Sequence, residues 1–417
     1  MQIKTLLNYL TDFQGFIFSN VKLDRDHDEI IVQIEPRKNS KPICSRCKKP
    51  GSTYDHLKKR RFLLPPIWGI AVVLLYTMRR VDCHNCNKAK VEKVPWATGK
   101  SPITKQFAVF LAYWTRKLSW KDAAESFHIT WDLVATAVSW VVQWGLTHRD
   151  LEKITALGVD EIQYRDGQKY LTLVYQIDHH CRRLLWIGKE RKKKTLHDFF
   201  DFFGKDRCQR IKFVCSDMWQ AYISVINERL DKAVHILDRF HIVSNLNKVV
   251  DKIRRAEVTK LKQEGKPAYL KNSRWLLLRK YTNLIYENRT KLHELLTINL
   301  RTIKAYLFKE DFDHLWTYNH PNWAGRFIDQ WTQDVMRYRS LPELKTFART
   351  IREHKELILN YFRAKKEFSS GPVEGLNNKA KLTIRRSYGF RGDRIREIML
   401  YHNLGKLPFP VDTHRFY

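Results

Sequence analysis

Ala156-Leu157-Gly158-Val159-Asp160-Glu161-Ile162 is a short apolar run interrupted by two adjacent acids. Side chains alternate across a strand, so Asp160 and Glu161 cannot serve a site on the same face. Asp160 is the choice for that site, because Val159 and Glu161 then share the opposite face. Two acidic positions downstream look made to meet it. Asp217 closes Ile211-Lys212-Phe213-Val214-Cys215-Ser216-Asp217, and Glu374 follows the break at Gly371-Pro372.

Outward from this stretch the chain reads as strands. Segments 154–163 and 169–177 flank Asp166-Gly167, a two-residue hairpin signal. Segment 183–188 gives a third strand and 195–203 a helix with Thr195 in capping position. Then come a buried strand over 211–216, a helix over 219–229 and a short strand over 234–237, followed by Asp238-Arg239-Phe240-His241. Three antiparallel strands and then helix, strand, helix, strand is the order of a ribonuclease H-like fold. In that order Asp160 sits mid-strand one, and Asp217 lies just past strand four, which neighbours strand one.

Residues 245–368 are helical in pattern and too many for a loop inside a compact domain, so they read as a helical insertion. Glu374 then opens a helix, where the dipole favours a carboxylate. Asn377 and Lys381 lie one and two turns further on, within reach of DNA phosphate. The tail is basic through Arg385, Arg386 and Arg391.

The N-terminal part carries Cys44-Ser45-Arg46-Cys47 and Cys83-His84-Asn85-Cys86. Thiolates two residues apart reach one tetrahedral zinc from a tight turn, and two such turns close a structural Zn2+ site. A strand-rich segment between the pairs, near 60–64 and 71–81, suits a zinc-ribbon-like finger, with His56 and His84 as fallback ligands. The alternation over 29–35 reads as a half-buried strand. Over 101–150 the pattern is helical. Ala123 and Ala124, the turn at His128-Ile129-Thr130 and a cap at Thr130 resemble a helix-turn-helix. Lys121, Thr130 and Trp131 are its candidate DNA contacts, although an ordinary helical hairpin has the same pattern.

Composition fits a polyanion partner. Lysine and arginine number 76 against 44 acids, a net charge of +32 spread along 417 residues, with aromatic residues at 13% interleaved. Such length implies two or more domains. The longest apolar run, 67–78, is about half of what a bilayer span needs. No signal-peptide pattern opens the chain. Four of the seven cysteines fall in tight pairs, which is metal-ligand usage in a reducing compartment. A cytosolic protein without membrane partners is expected.

Spacing alone would not single out three acids among 44. The chain, however, resembles bacterial insertion-sequence transposases of the DDE class, in the ISL-three family. The resemblance rests on Gly158-Val159-Asp160-Glu161, Cys215-Ser216-Asp217-Met218-Trp219, Asp238-Arg239-Phe240-His241, Gly371-Pro372-Val373-Glu374-Gly375-Leu376-Asn377 and Arg385-Arg386-Ser387-Tyr388-Gly389-Phe390-Arg391. It implies that Asp160, Asp217 and Glu374 form the catalytic triad holding two Mg2+ (or Mn2+) ions, with His241 as a second-tier residue beside them. It implies binding of terminal inverted repeats, metal-dependent DNA strand cleavage and strand transfer, on double-stranded transposon ends and target, by at least a homodimer. The competing readings are a non-catalytic DNA-binding regulator and a nuclease of the same fold. The expected architecture is multidomain α+β: a zinc-finger region over 1–98, a helix-turn-helix over 99–150, and a ribonuclease H-like α/β catalytic core over 151–244. A large all-helical insertion over 245–368 and the last catalytic helix with the basic tail over 369–417 complete it.

Overall fold

The computed structural model describes residues 3–11, 13–165, 169–298, 300–368, 371–386 and 392–410. It forms two compact units, residues 1–150 with 382–417 and residues 151–381. Among the described residues no helix is long and apolar enough to cross a membrane.

The first unit opens with α1 (Ile3–Leu10), β1 (Phe16–Asp24), β2 (Glu29–Pro36), β3 (Ser52–Ile67), β4 (Ile70–Asp82) and β5 (Lys90–Val91). They build one sheet in the order β1-β2-β4-β3, with β5 on β4. β2 alternates buried and half-buried residues, as its period of two requires. The core is a cluster of rings: Phe13, Phe16, Phe62 and Tyr76 pack 4.9–5.9 Å from buried Trp96. Buried Glu92 is paired with Arg79 at 2.8 Å and accepts the Tyr76 hydroxyl at 2.7 Å, which is how a charge survives such a core. The cysteine-bearing segment is therefore one end of a five-stranded domain rather than a free-standing ribbon.

Helices α2 (Lys105–Trp114), α3 (Trp120–Ser126) and α4 (Trp131–His148) follow. A capping box of Ser119 and Asp122 starts α3, and Thr130 caps α4 by accepting the Leu133 N–H. The turn between them passes through His128 at φ 50°. Ala123 and Ala124 are buried where α3 meets α4. The second helix is long. Its apolar stripe runs on from Val134 to Gly145, giving 18 residues.

In the second unit β6 (Ala156–Arg165), β7 (Lys169–Asp178) and β8 (Cys181–Lys189) form an antiparallel meander. The Asp166-Gly167 hairpin signal lies outside the described residues. After α5 (Lys193–Phe203) and α6 (Lys205–Cys208), β9 (Phe213–Ser216) pairs parallel with β6. Beyond α7 (Gln220–Arg229), β10 (Val234–Leu237) pairs parallel with β9, giving the order β10-β9-β6-β7-β8. Thr195, expected as a cap, lies inside α5. It is buried, and its hydroxyl donates to the Lys189 carbonyl.

The remainder is helical: α8 (Arg239–Gln263), α9 (Arg274–Leu278), α10 (Tyr286–Leu296), α11 (Arg301–Asp313), α12 (Pro321–Arg337), α13 (Pro342–Glu353), α14 (Lys355–Arg363), α15 (Gly371–Arg386) and α16 (Asp393–Leu404). Segment 369–417, expected to stay with the catalytic core, is divided. Residues from Leu382 onward count with the first unit, where Ile395, Ile398 and Met399 of α16 pack in one apolar cluster with Val138 and Val142 of α4.

Candidate active site and metal centre

β6 separates its two acids as strand alternation demands. On one face stand Gly158 and Asp160, and against them lies α15. A Cβ on Gly158 would sit 2.4 Å from Val373 Cγ2, so α15 approaches as closely as a bare backbone allows. One turn on, Asn377 Nδ2 donates to Asp160 Oδ2 at 2.5 Å, while the Tyr175 hydroxyl donates to Asn377 Oδ1 at 2.6 Å. Burial holds the Tyr175 phenol well above its ordinary value, so it remains a donor and fixes which way the amide points. Asn377, expected to reach DNA phosphate, is thus corrected to an internal residue. It is 4% exposed, and both ends of its amide are engaged.

Replacing Gly158 by alanine is expected to push α15 off the sheet. The cost is about 1–3 kcal/mol in an overpacked contact. Activity should fall further than stability, because Asn377 and Glu374 ride on the same helix. Melting and cleavage measured on the same preparation check this. Unchanged activity in Gly158→Ala would mean that α15 does not depend on this contact.

The parallel register pairs Gly158 with Cys215, which brings Asp217 level with Asp160. Asp217 Oδ1 accepts the Trp219 N–H at 3.0 Å, and Oδ2 lies 3.1 Å from Arg191 Nη2. Arg191 Nε is also 2.8 Å from Glu161 Oε1, on the far face of β6. Asp238 caps α8 through the Phe240 N–H at 2.6 Å, and His241, half-exposed, lies 4.0 Å from its other oxygen. His241 is therefore not a packed core histidine.

These acids lie in an environment short of positive charge. Burial raises Asp160 to about 6, with Asp217 and Asp238 adding to the rise and His241 and the Glu161 N–H opposing it. Burial, with Asp217 second, raises Glu161 to about 7 against the pull of Arg191. Glu374 occupies the first turn of α15, half-buried, and makes no ion pair among the described residues. Its i,i+3 spacing to Asn377 puts it on the turn beside Asp160. Even so, the oxygens of Asp160, Asp217 and Glu374 do not gather as tightly as 4.8 Å. Among the described residues only the four cysteines do. Hard oxygens, on acids of which Asp160 and Glu374 make no ion pair among the described residues, are the donor set a divalent ion takes.

The cysteine centre is compact. Cys44, Cys47, Cys83 and Cys86 bring their sulfurs within 4.8 Å of one another, with Cys47–Cys83 at 3.3 Å and Cys44–Cys86 at 4.0 Å. Four sulfurs at about 2.3 Å from a tetrahedral zinc are separated by about 3.8 Å, so the cluster has the size of a structural site. The Cys47 N–H, first among several causes, lowers Cys44 to about 6, toward the thiolate a metal needs. The exposed His56 and His84 are outside the cluster.

Of the expected DNA contacts, Lys121, Trp131 and Arg386 line one cavity of about 630 Å³ in the first unit, with Arg116 and Lys117. Lys121 also lies 3.7 Å from Glu125. The Thr130 hydroxyl is engaged as a helix cap, which leaves less of it for a base. Lys381 and Arg385 are exposed, and Arg391 lies outside the described residues. Sequence reasoning missed Arg191 and Tyr175, and set Glu161 on the opposite face without giving it a partner. Arg191 is one of 76 cations and carries no local signal.

A family model described as transposase, of the ISL3 DDE type, matches residues 157–395, more than half of the chain. The transposase for insertion sequence element IS1001 of Bordetella parapertussis is 29% identical over 392 residues, covering 93% of this chain and 95% of that one. The transposase for insertion sequence element IS1557 of Mycobacterium tuberculosis is 28% identical over 395 residues, covering 88% and 86%. A family match over the acid-bearing sheet and α15, joined to relatives that share nearly the whole length, decides the matter: the chain belongs to the ISL3 family of DDE transposases, enzymes that cut and rejoin DNA.

Proposed function

We propose that Asp160, Asp217 and Glu374 are the catalytic acids and together hold two divalent cations, Mg2+ or Mn2+. When bound, such ions polarise a phosphodiester and lower the pKa of the attacking water or hydroxyl. The observation that carries this reading is the pairing of Asp160 with α15. Asn377, oriented by Tyr175, holds one Asp160 oxygen and so ties the helix bearing Glu374 to the strand bearing Asp160. Asp217 is kept level with Asp160 by the β6–β9 register and by the Trp219 N–H. His241, half-exposed at the start of α8 beside Asp238, is the group placed to meet the scissile phosphate or its flanking strand.

With the acids in these roles, hydrolysis at the element's end frees a 3′-hydroxyl. That hydroxyl attacks target DNA directly, so no covalent protein intermediate is needed. Cys44, Cys47, Cys83 and Cys86 hold a structural Zn2+. The α3–α4 pair acts as a helix-turn-helix on the terminal inverted repeats, with Lys121, Thr130, Trp131, Arg385 and Arg386 at the DNA and Lys381 on the phosphates. Two ends must be cut together, so a homodimer or larger assembly forms on DNA.

The test is binding and cleavage on duplexes carrying the DNA that flanks this gene, with scrambled duplexes as controls, in Mg2+ and in chelator. Mg2+-dependent nicking at the element boundary is expected. Cleavage without end preference would make the chain a nuclease of the same fold, and end binding without cleavage would make it a regulator.

A further inference from the structure

Of the three proposed catalytic acids, Asp217 alone makes an ion pair among the described residues, and its partner was not anticipated from sequence. The Arg191 guanidinium reaches Asp217 Oδ2 with Nη2 at 3.1 Å and Glu161 Oε1 with Nε at 2.8 Å. Its carbon lies 4.3 Å from the centre of the Trp219 ring, which supports it from one side. Trp219 also donates its backbone N–H to the other Asp217 oxygen. One residue and its ring neighbour therefore decide where the Asp217 carboxylate points. They set it against Arg191, which also reaches Glu161.

We propose that Arg191 is a positioning residue that stands in for the divalent cation: it neutralises Asp217 in the metal-free enzyme, and ion and guanidinium compete for the same carboxylate oxygen. The inference rests on the reading of Asp217 as a metal ligand.

The build of the loop supports an exchange by side-chain rotation. The backbone before Arg191 is fixed: Glu190 N–H donates to the Tyr170 carbonyl at 3.1 Å, and the Thr172 hydroxyl donates to the Glu190 carbonyl at 2.9 Å. The Arg191 side chain is a third exposed, whereas Glu161 and Asp217 are 13% and 12% exposed. The cation has a way out to water and its two acids do not. Asp160, Glu161, Asp217 and Asp238 crowd one end of the sheet, with Arg191 and His241 as the cations acting on them. A metal-free site of this kind needs a resident positive charge. Because a doubly charged ion repels a guanidinium and outcompetes it for a hard oxygen, the two states exclude one another.

The test uses the full-length, zinc-loaded chain without DNA and measures Mn2+ binding by calorimetry and by the free-ion paramagnetic signal. Mn2+, a hard ion, leaves the thiolate site alone. Arg191→Gln is expected to bind Mn2+ roughly three- to tenfold more tightly, as for removal of one partly exposed charge competitor. The variant should melt lower than wild type without metal and gain more from it. Arg191→Lys, which keeps the charge, should lie near wild type. Equal or weaker Mn2+ binding by Arg191→Gln overturns the proposal. Absence of Mn2+ binding by wild type would instead overturn the metal reading of the acids, and this inference with it. If Arg191→Gln does not fold, the wild-type arginine Nε–H resonance that is missing in Arg191→Lys gives the answer. Saturating Mg2+ should speed its exchange with water, and continued protection would overturn the exchange.

Discussion

Asp217→Asn is expected to lower strand cleavage by at least about a thousandfold, the scale of losing a metal's several kcal/mol of transition-state stabilisation, while binding to end DNA changes little. The same loss is expected for Asp160→Asn and Glu374→Gln. None of the three side chains lies in the unit that carries α3 and α4, so grip and chemistry should separate. Asp160→Asn has a second signature. Burial holds Asp160 at about 6, above the ordinary aspartate value of about 4. Between those values the folded chain keeps a proton that the unfolded chain releases, so metal-free stability falls as pH rises from about 4 to about 6 and is level above. Asparagine removes that slope. At pH 7.5 without metal, Asp160→Asn should therefore melt at or slightly above wild type, with a gain of order 1 kcal/mol. A protein that is more stable and yet inert rules out misfolding as the cause. Full strand transfer by any of the three variants would remove that acid from the triad.

How much of this was legible in the sequence depends on how local the signal is. The parity of Asp160 and Glu161 follows from strand alternation alone, and the two acids do stand on opposite faces of β6. The element order over β6 to β10 was readable because each strand is a short apolar run whose partner lies near in sequence. Asn377 was not readable. The spacing of Glu374, Asn377 and Lys381 shows that they share one side of a helix, but which of them turns inward is set by Gly158 and Asp160, more than 200 residues away. Arg191 was hidden for a similar reason: only the fold distinguishes it from Lys192, Lys193 and Lys194 beside it. The apolar stripe of α16 carries no hint that its partner is α4, because the pairing is long-range. The length of α4 was missed because the turn signal at His128–Thr130 marks where a helix begins and says nothing of where it ends.

Removing the metal from the cysteine centre should be the largest structural perturbation available in the first unit. Apparent binding free energies for structural zinc are about 10–16 kcal/mol, as large as the whole stability of an ordinary domain. The sulfurs close the two ends of the β3–β4 hairpin: Cys44 and Cys47 precede β3, and Cys83 and Cys86 follow β4. Isolated bridges tie the same end to neighbouring chain, Cys44 to Glu92 and Ile43 to Pro50. Without an ion, four sulfurs within 4.8 Å of one another, one of them the Cys44 thiol already drawn toward the thiolate, lose the cation that holds them together. The opposing consideration is the ring cluster on Trp96, a core of the same sheet separate from the cysteine cluster. It is large enough to keep β1, β2 and the near half of β3 and β4 together. Purified protein is therefore expected to carry one Zn2+ per chain by mass spectrometry, and Cys83→Ser to carry none. Loss of zinc should open the cysteine end of the hairpin and β5, seen as lost amide-exchange protection over residues 42–56 and 79–93, while β6 to β10 keep theirs. Affinity for end DNA should fall at least roughly tenfold if the finger orders the DNA-binding unit, a coupling of about 1.4 kcal/mol. Because the ligands must be deprotonated to bind, zinc should leave as pH falls, and restoring neutral pH with zinc should recover protection. Protection unchanged in Cys83→Ser would show that the sheet holds this end without a metal and that the four cysteines have no structural ion.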